Sequence, residues 1–345
     1  MTKFKVGITH DFYTEAKGRF EAAVEHKFGS LDWVEVEPMP AQSIAQPEII
    51  DQYDAIFALA LKFNRQSLQG LKRLAVIARW GVGYDMIDTA ALTEAGAALA
   101  ITPNAVRRPV AEAILTLIFA LGKNLFIQDH LVRAGKWRGD LPSLGSTLDG
   151  KTLGSVGCGN IGREMFRLAA SLGFRRFIAY DPYADHDDAR QLGVELVSLE
   201  EVMRESDYVT VNTLLNDETR HMIGEQQFCL MKSTAYFINT SRGPIVDQQA
   251  LTRVLQQRRI AGAGLDVFEQ EPVAKDDPLL ALDNVILAPH GLAWTLEIAR
   301  DNSYEACDNI ISIAKGVAPA SVVNRAVLDH PAFQAKLADY RSRKY

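Results

Sequence analysis

"GSVGCGNIGRE" (residues 154–164) carries Gly157, Gly159 and Gly162 in a G-x-G-x-x-G spacing. The bare spacing is a weak signal, so its flanks decide how it reads. The apolar "TLGSV" before it reads as a buried strand, and "NIGREMFRLAASLG" after it reads as an amphipathic helix stopped by Gly173. In a strand–turn–helix unit Gly157 permits the tight turn and Gly159 lets the backbone approach a pyrophosphate. Gly162 lets helix and strand pack closely, with the phosphate charge facing the helix N-terminus. Asn160 and Ile161 complete the cofactor-binding run, and Cys158 fills a small gap in the turn. Asp181 follows Gly162 by nineteen residues, at the end of "RFIAYD". A carboxylate there accepts hydrogen bonds from the adenosine ribose and repels a 2′-phosphate, so NAD is expected and NADP is disfavoured.

Working outward, "KTLGSVG", "RFIAYDP", "DYVTVNT", "AYFINTS", "AGAGLDV" and "NVILAPH" give six candidate strands, enough for a full dinucleotide-binding sheet. The first hundred residues repeat the rhythm: "FKVGIT" (4–9), "YDAIFALAL" (53–61) and "RLAVIARW" (73–80) read as strands, with helical spacing over 11–28 and 65–74. A chain of 345 residues predicts about two domains, here both α/β with parallel sheets, Rossmann-like and flavodoxin-like. Between the halves, Pro103 and Asn104 read as a break and residues 106–125 as one long apolar helix. Such a helix must bury most of its surface, and a second subunit is a candidate to cover it. Residues 135–151 read as an extended loop, 294–315 as a helix, and "FQAKLADYRSRKY" (333–345) as a polar, peripheral tail.

A net charge of −6 argues against nucleic acid or an anionic membrane surface as the main partner. The most apolar run, "AILTLIFAL" (113–121), is too short to cross a bilayer, and "MTKFKVGITHDF" lacks a signal peptide's apolar core. Three scattered cysteines exclude a disulfide scaffold and a C-x-x-C metal site, and suit a reducing cytoplasm. No metal is expected.

Three strand ends carry chemistry rather than packing. "INTSRGPIVD" sets Arg242 in a turn, "GLDVFEQEP" ends in Asp266 and Glu271, and "NVILAPHGLAWT" ends in His290. In an open parallel sheet ligands bind beyond the carboxyl ends of the strands, so these groups can share one crevice.

Together with "RWGVGYDMID" (79–88) and "TPNAVRRPVAE" (102–112), these motifs resemble the D-isomer-specific 2-hydroxyacid dehydrogenase family. The resemblance implies a substrate domain of residues 1–103 plus 296–345, with an NAD-binding domain of residues 104–295 inserted in it, and a homodimer. The leading residues would then form a lid over the nicotinamide. It implies a small 2-oxo or 2-hydroxy acid substrate, whose carboxylate meets the Val82 and Gly83 amides. Arg242 would hold carboxylate and ketone oxygen with its planar fork. His290 would give the proton in reduction and take it in oxidation, and Glu271 would orient the imidazole and favour its charged form. Asp266 would hold the nicotinamide carboxamide, Thr240 would lie beside the ring, and Thr213 would contact the cofactor.

Asn212 and Leu214 stand where relatives show His-x-Pro, Gly291 follows the histidine in place of a bulky residue, and Pro109 interrupts "RRPVAE". Trp80, Tyr84 and Trp294 are candidates for the pocket wall. Lys62, Arg65 and Arg107 read as solvated surface, with a second anionic group on the substrate as the alternative. The resemblance also admits an NAD(H)-sensing, corepressor-like scaffold with little turnover, and a phosphite or phosphonate oxidase.

Overall fold

Runs such as "AIFA" and "TLGSV" offer no polar face to water, and in the computed structural model, which describes Lys3–Arg343, they lie inside two parallel sheets. The chain divides into two units: one runs through Val106 and resumes at Thr295, the other is Arg107–Trp294.

The first unit holds β1 (Phe4–Ile8), β2 (Val34–Pro38), β3 (Ala55–Ala58), β4 (Val76–Arg79) and β5 (Ala98–Ala100), in the order β2-β1-β3-β4-β5. On one face Phe4, Val6, Phe57 and Ala78 pack with Ala306, Cys307, Ile310 and Ile313 of the helix Leu296–Ala314. The returning C-terminal segment thus completes this core. The second unit holds β6 (Thr152–Val156), β7 (Arg176–Tyr180), β8 (Val194–Leu196), β9 (Tyr208–Val211), β10 (Tyr236–Asn239), β11 (Gly262–Leu265) and β12 (Val285–Leu287). Their order is β12-β11-β10-β9-β6-β7-β8, so the chain reverses direction of growth at β6.

Several expectations are corrected. The unit-two sheet has seven strands; β8 escaped because it is three residues with one buried side chain. In unit one β2 and β5 were missed, β2 because "VEVEP" is a half-buried edge strand and β5 because it is built of Ala-Leu-Ala. The helical stretch 11–28 is two helices, Asp11–Glu15 and Glu21–Phe28, parted near Gly18, whose φ is +78°. Residues 65–74 form only a single 3-10 turn, Gln66–Leu68.

Pro103 does not break the chain but begins the helix Pro103–Gly122, as suits a residue whose missing N–H costs nothing in a first turn. That helix ends before Asn124, which takes φ +52° and leads into a second helix, Leu125–Arg133, bent from the first by 59°. Ile114, Leu117 and Ile118 are buried in unit two's own core, so the long helix needs no second subunit to cover them. No single helix is long and apolar enough to cross a membrane among the described residues.

Nor is the tail peripheral. Phe333, Leu337 and Tyr340 of the helix Pro331–Ser342 are buried in the first core; Lys344 and Tyr345 lie outside the described residues. Each such side chain contributes about 1.5–3 kcal/mol of hydrophobic stabilisation. The Tyr340 hydroxyl donates to the buried Asp54 (3.0 Å), and Lys336 Nζ donates to the carbonyls of Leu74 (2.7 Å) and Gly96 (2.9 Å).

Burial pushes the Lys336 ammonium down from 10.5 to about 8, against the pull of Asp51. Between those values the unfolded chain holds a proton that the folded chain has released, so this group adds stability as pH rises. Urea melts should therefore show wild type gaining on Lys336→Met from pH 8 to 10.5. A constant gap across that window would contradict the assignment.

Candidate active site

The glycine loop joins β6, at the reversal point of the sheet, to the helix Asn160–Ala169. Gly157 takes φ +102°, and a Cβ there would strike the Asn212 carbonyl. A Cβ at Gly162 would sit 2.8 Å from the Gly157 carbonyl oxygen, whereas at Gly159 it would meet open space. The loop is therefore tight on its protein side and open where the helix begins. Asp181, beyond β7, accepts from the amides of Cys158 (2.8 Å) and Tyr183 (2.9 Å). The nearby guanidiniums of Arg163 and Arg190 are engaged by Asp188 and Asp187. Burial, with Asp181 adding to it, pushes the Cys158 thiol up to about 11, so it stays a packing group.

Two buried polar atoms in this region have no partner, Asn212 Oδ1 and Thr240 Oγ1. Buried polar groups are rarely left so. With the open glycine loop, they make a surface that fits a bound dinucleotide. Thr213 follows Asn212, its amide close against Gly157.

The chemical groups sit at the ends of β10, β11 and β12, neighbours in the sheet. After β10, Asn239 Oδ1 accepts from the Ser241 amide (3.0 Å) and its Nδ2 donates to the Arg242 carbonyl (3.0 Å). Ser241 Oγ donates to the Val211 carbonyl (2.9 Å), and Arg242 Nη1 donates to the Ser241 carbonyl (2.7 Å). Sequence reading passed over Asn239, although a strand-end asparagine before a turn is a signal for this bonding.

Glu271 is gripped at both oxygens: Oε1 accepts from the Phe268 amide (2.9 Å), and Oε2 lies 2.7 Å from His290 Nδ1. Burial pushes the Glu271 carboxyl up, but those bonds and the charges of His290 and Arg242 outweigh it, leaving it below the usual range. An ionised Glu271 can only accept, so Nδ1 donates and Nε2 is left for other work.

His290 itself takes φ +51°, a left-handed conformation that costs a non-glycine residue energy. Asp266 offsets the cost. Buried to 4% exposure, it accepts from the Gly291 amide (3.0 Å) and from the Leu292 amide (3.1 and 3.2 Å), locking the turn that carries the imidazole. Burial holds its carboxyl above the usual range in spite of these bonds.

Val82 and Gly83 lie on the other unit, in the loop after β4. Gly81 takes φ +122° and is tied to Thr102 Oγ1 (2.8 Å), while the Val82 and Gly83 amides donate to no other group among the described residues. Trp80 is not pocket wall. It is 3% exposed, packed in the core, with Nε1 bonded to Ser303 Oγ (3.0 Å). Arg65 is held in a bidentate pair by Glu94 (2.6 and 2.9 Å). Among the described residues no group of three His, Cys, Asp or Glu could hold a metal ion.

Residues 115–291 match the family described as "D-isomer specific 2-hydroxyacid dehydrogenase, NAD binding domain". The chain belongs to that family. It is 37% identical to the glyoxylate reductase of Korarchaeum cryptofilum over 96% of this chain and 100% of that protein. Its structure matches a glyoxylate reductase from Paecilomyes thermophila with a TM-score of 0.81 and 30% identity, over 94% and 99% of the two chains. D-mandelate dehydrogenase from Rhodotorula graminis gives 0.80 and 26%, over 94% and 98%. The chain is thus a nicotinamide-dependent oxidoreductase of the 2-hydroxy acid/2-oxo acid couple. These comparisons give the corepressor-like reading no support.

If Asp266 holds the histidine turn, Asp266→Ala leaves the Gly291 and Leu292 amides without their acceptor. It should lose about 1–3 kcal/mol in urea melts, together with dehydrogenase turnover. A variant unchanged in both would contradict the role.

Proposed function

We propose that this dehydrogenase reduces a small 2-oxo acid of glyoxylate size with NADH, using Arg242, Glu271 and His290. The observation that carries the reading is the Glu271–His290 bond of 2.7 Å at a strand end beside the Arg242 turn. Its similarity to glyoxylate reductases supports the substrate size.

The substrate carries a carboxylate beside a carbonyl, an aldehyde in glyoxylate and a ketone in larger 2-oxo acids. Arg242 meets the carboxylate and the carbonyl oxygen with its planar fork. When bound, NADH would supply the hydride to the carbonyl carbon. His290 Nε2 gives its proton to the carbonyl oxygen as negative charge grows there, and Glu271, ionised through the neutral range, stabilises the imidazolium before the proton leaves. In oxidation the neutral imidazole takes the proton back. The glycine loop would hold the pyrophosphate, Asp181 the ribose, and Thr240 and Asp266 the nicotinamide end.

His290→Gln should lower kcat about 10²–10⁴-fold while leaving NADH binding intact by fluorescence titration. Full turnover in that variant, or no NADH oxidation by wild type with glyoxylate, hydroxypyruvate or pyruvate, would contradict the reading.

An expected preference for NAD over NADP is supported by Asp181, held beyond β7 by the Cys158 and Tyr183 amides, with the Arg163 and Arg190 guanidiniums paired to other carboxylates. Asp181→Ala should narrow the ratio of kcat/KM for NADH over NADPH; an unaltered ratio would place selectivity elsewhere.

The expected homodimer is supported by exposed apolar side chains along residues 119–144, Phe119, Leu125, Phe126, Val132, Trp137 and Leu144, between 40% and 89% exposed. Light scattering should give twice the chain mass for wild type and a monomer for Phe126→Glu with Leu144→Glu. The three unpaired cysteines suit a reducing, cytoplasmic setting.

A further inference from the structure

Unit two contains a second histidine–glutamate pair that the reaction does not use. His221 Nε2 lies 2.6 Å from Glu269 Oε1, and both side chains reach solvent. Like His290, His221 takes a left-handed backbone, with φ +52°. Its position gives the pair a purpose.

The segment around His221 is stitched to the loop that follows Arg242. The His221 amide donates to the Pro244 carbonyl (2.9 Å), the Ile223 amide to Ile245 (3.2 Å), and the Asp247 amide to Ile223 (3.0 Å), with a parallel bridge from Ile223 to Val246. Glu269 belongs to the loop that carries Glu271, two residues further on. Its amide donates to Gln248 Oε1 (2.9 Å), and its Oε2 accepts from the Gln248 amide (3.4 Å). Gln248 opens the helix Gln248–Gln256 that follows the Arg242 loop. Between these anchors the two loops touch, since a Cβ at Gly243 would overlap the Phe268 carbonyl.

We propose that His221 and Glu269 are positioning residues, a clamp that holds the Arg242 loop in register with the Glu271 loop. The inference rests on the roles proposed above for Arg242 and Glu271. Loosening the clamp misplaces both at once: Arg242 from the substrate carboxylate and Glu271 from the imidazole. The pyrophosphate and ribose ends of NADH, assigned above to the glycine loop and Asp181, lie on other loops and keep most of the cofactor affinity.

The test uses the full-length protein, with glyoxylate and NADH. His221→Ala and Glu269→Ala should each raise the glyoxylate KM about tenfold and lower kcat several-fold, with the NADH Kd moving far less than the glyoxylate KM. The double variant should be no worse than the more damaged single, because the two act as a unit. Glu269→Gln, whose carbonyl oxygen can accept from the Gln248 amide while its NH2 donates to a neutral His221 Nε2, should restore most of the loss. Arg253→Ala, which removes a surface ion pair to Glu225 in the same unit, should leave KM unchanged and controls for a general loss of stability. The clamp is overturned if both alanine variants match wild type while wild type is active and His290→Gln is not. It is also overturned if NADH affinity falls in step with kcat, or if Glu269→Gln is as damaged as Glu269→Ala. Failure of the underlying reading looks different, with wild type inactive or His290→Gln fully active, and takes the clamp with it.

Discussion

A neutral imidazole has one nitrogen that donates and one that accepts, and whatever grips the first decides what the second offers. In this protein a single bond does the gripping, 2.7 Å between His290 Nδ1 and Glu271 Oε2. Remove it and His290 becomes an unaligned histidine on a strained backbone. Keep it and Nε2 is the nitrogen that the proposed reaction uses as a reversible proton donor. Most of the surrounding structure maintains that bond. The Phe268 amide holds the other Glu271 oxygen, and Asp266 locks the turn on which His290 stands.

The sheet explains why so few residues suffice. β10, β11 and β12 lie side by side and parallel, so their carboxyl ends bring turns from three distant stretches to one edge. The protein carries a net charge of −6, and its ligands are anions, so attraction must come from local groups. In the proposed reading the Arg242 guanidinium and the start of the helix Asn160–Ala169 provide it.

Much of this was legible because it is local. The glycine run and Asp181 report on a single strand–turn–helix–strand unit, and Arg242, Asp266, Glu271 and His290 each follow directly on an apolar strand. What escaped was decided at a distance or by weak local signals. β8 is too short to show periodicity, and Pro103 was taken for a breaker when its neighbours let it start a helix. The tail looked peripheral by its charge, although Phe333, Leu337 and Tyr340 recur at helical spacing and pack into the first core. Trp80 and the long apolar helix were similar cases, since aromatic or apolar character does not say which surface does the burying. The His221–Glu269 contact joins residues 48 apart through space, and no spacing rule announces it.

The tautomer of His290 is the most direct check on this account. Nitrogen-15 NMR of the imidazole, assigned by difference against His290→Gln, should show Nδ1 protonated at every pH and only Nε2 gaining and losing its proton. In Glu271→Gln the low-field Nδ1 proton should vanish. A neutral form of wild type carrying its hydrogen on Nε2, or spectra that do not change when Glu271 is replaced, would contradict the claim on which the proposed chemistry stands.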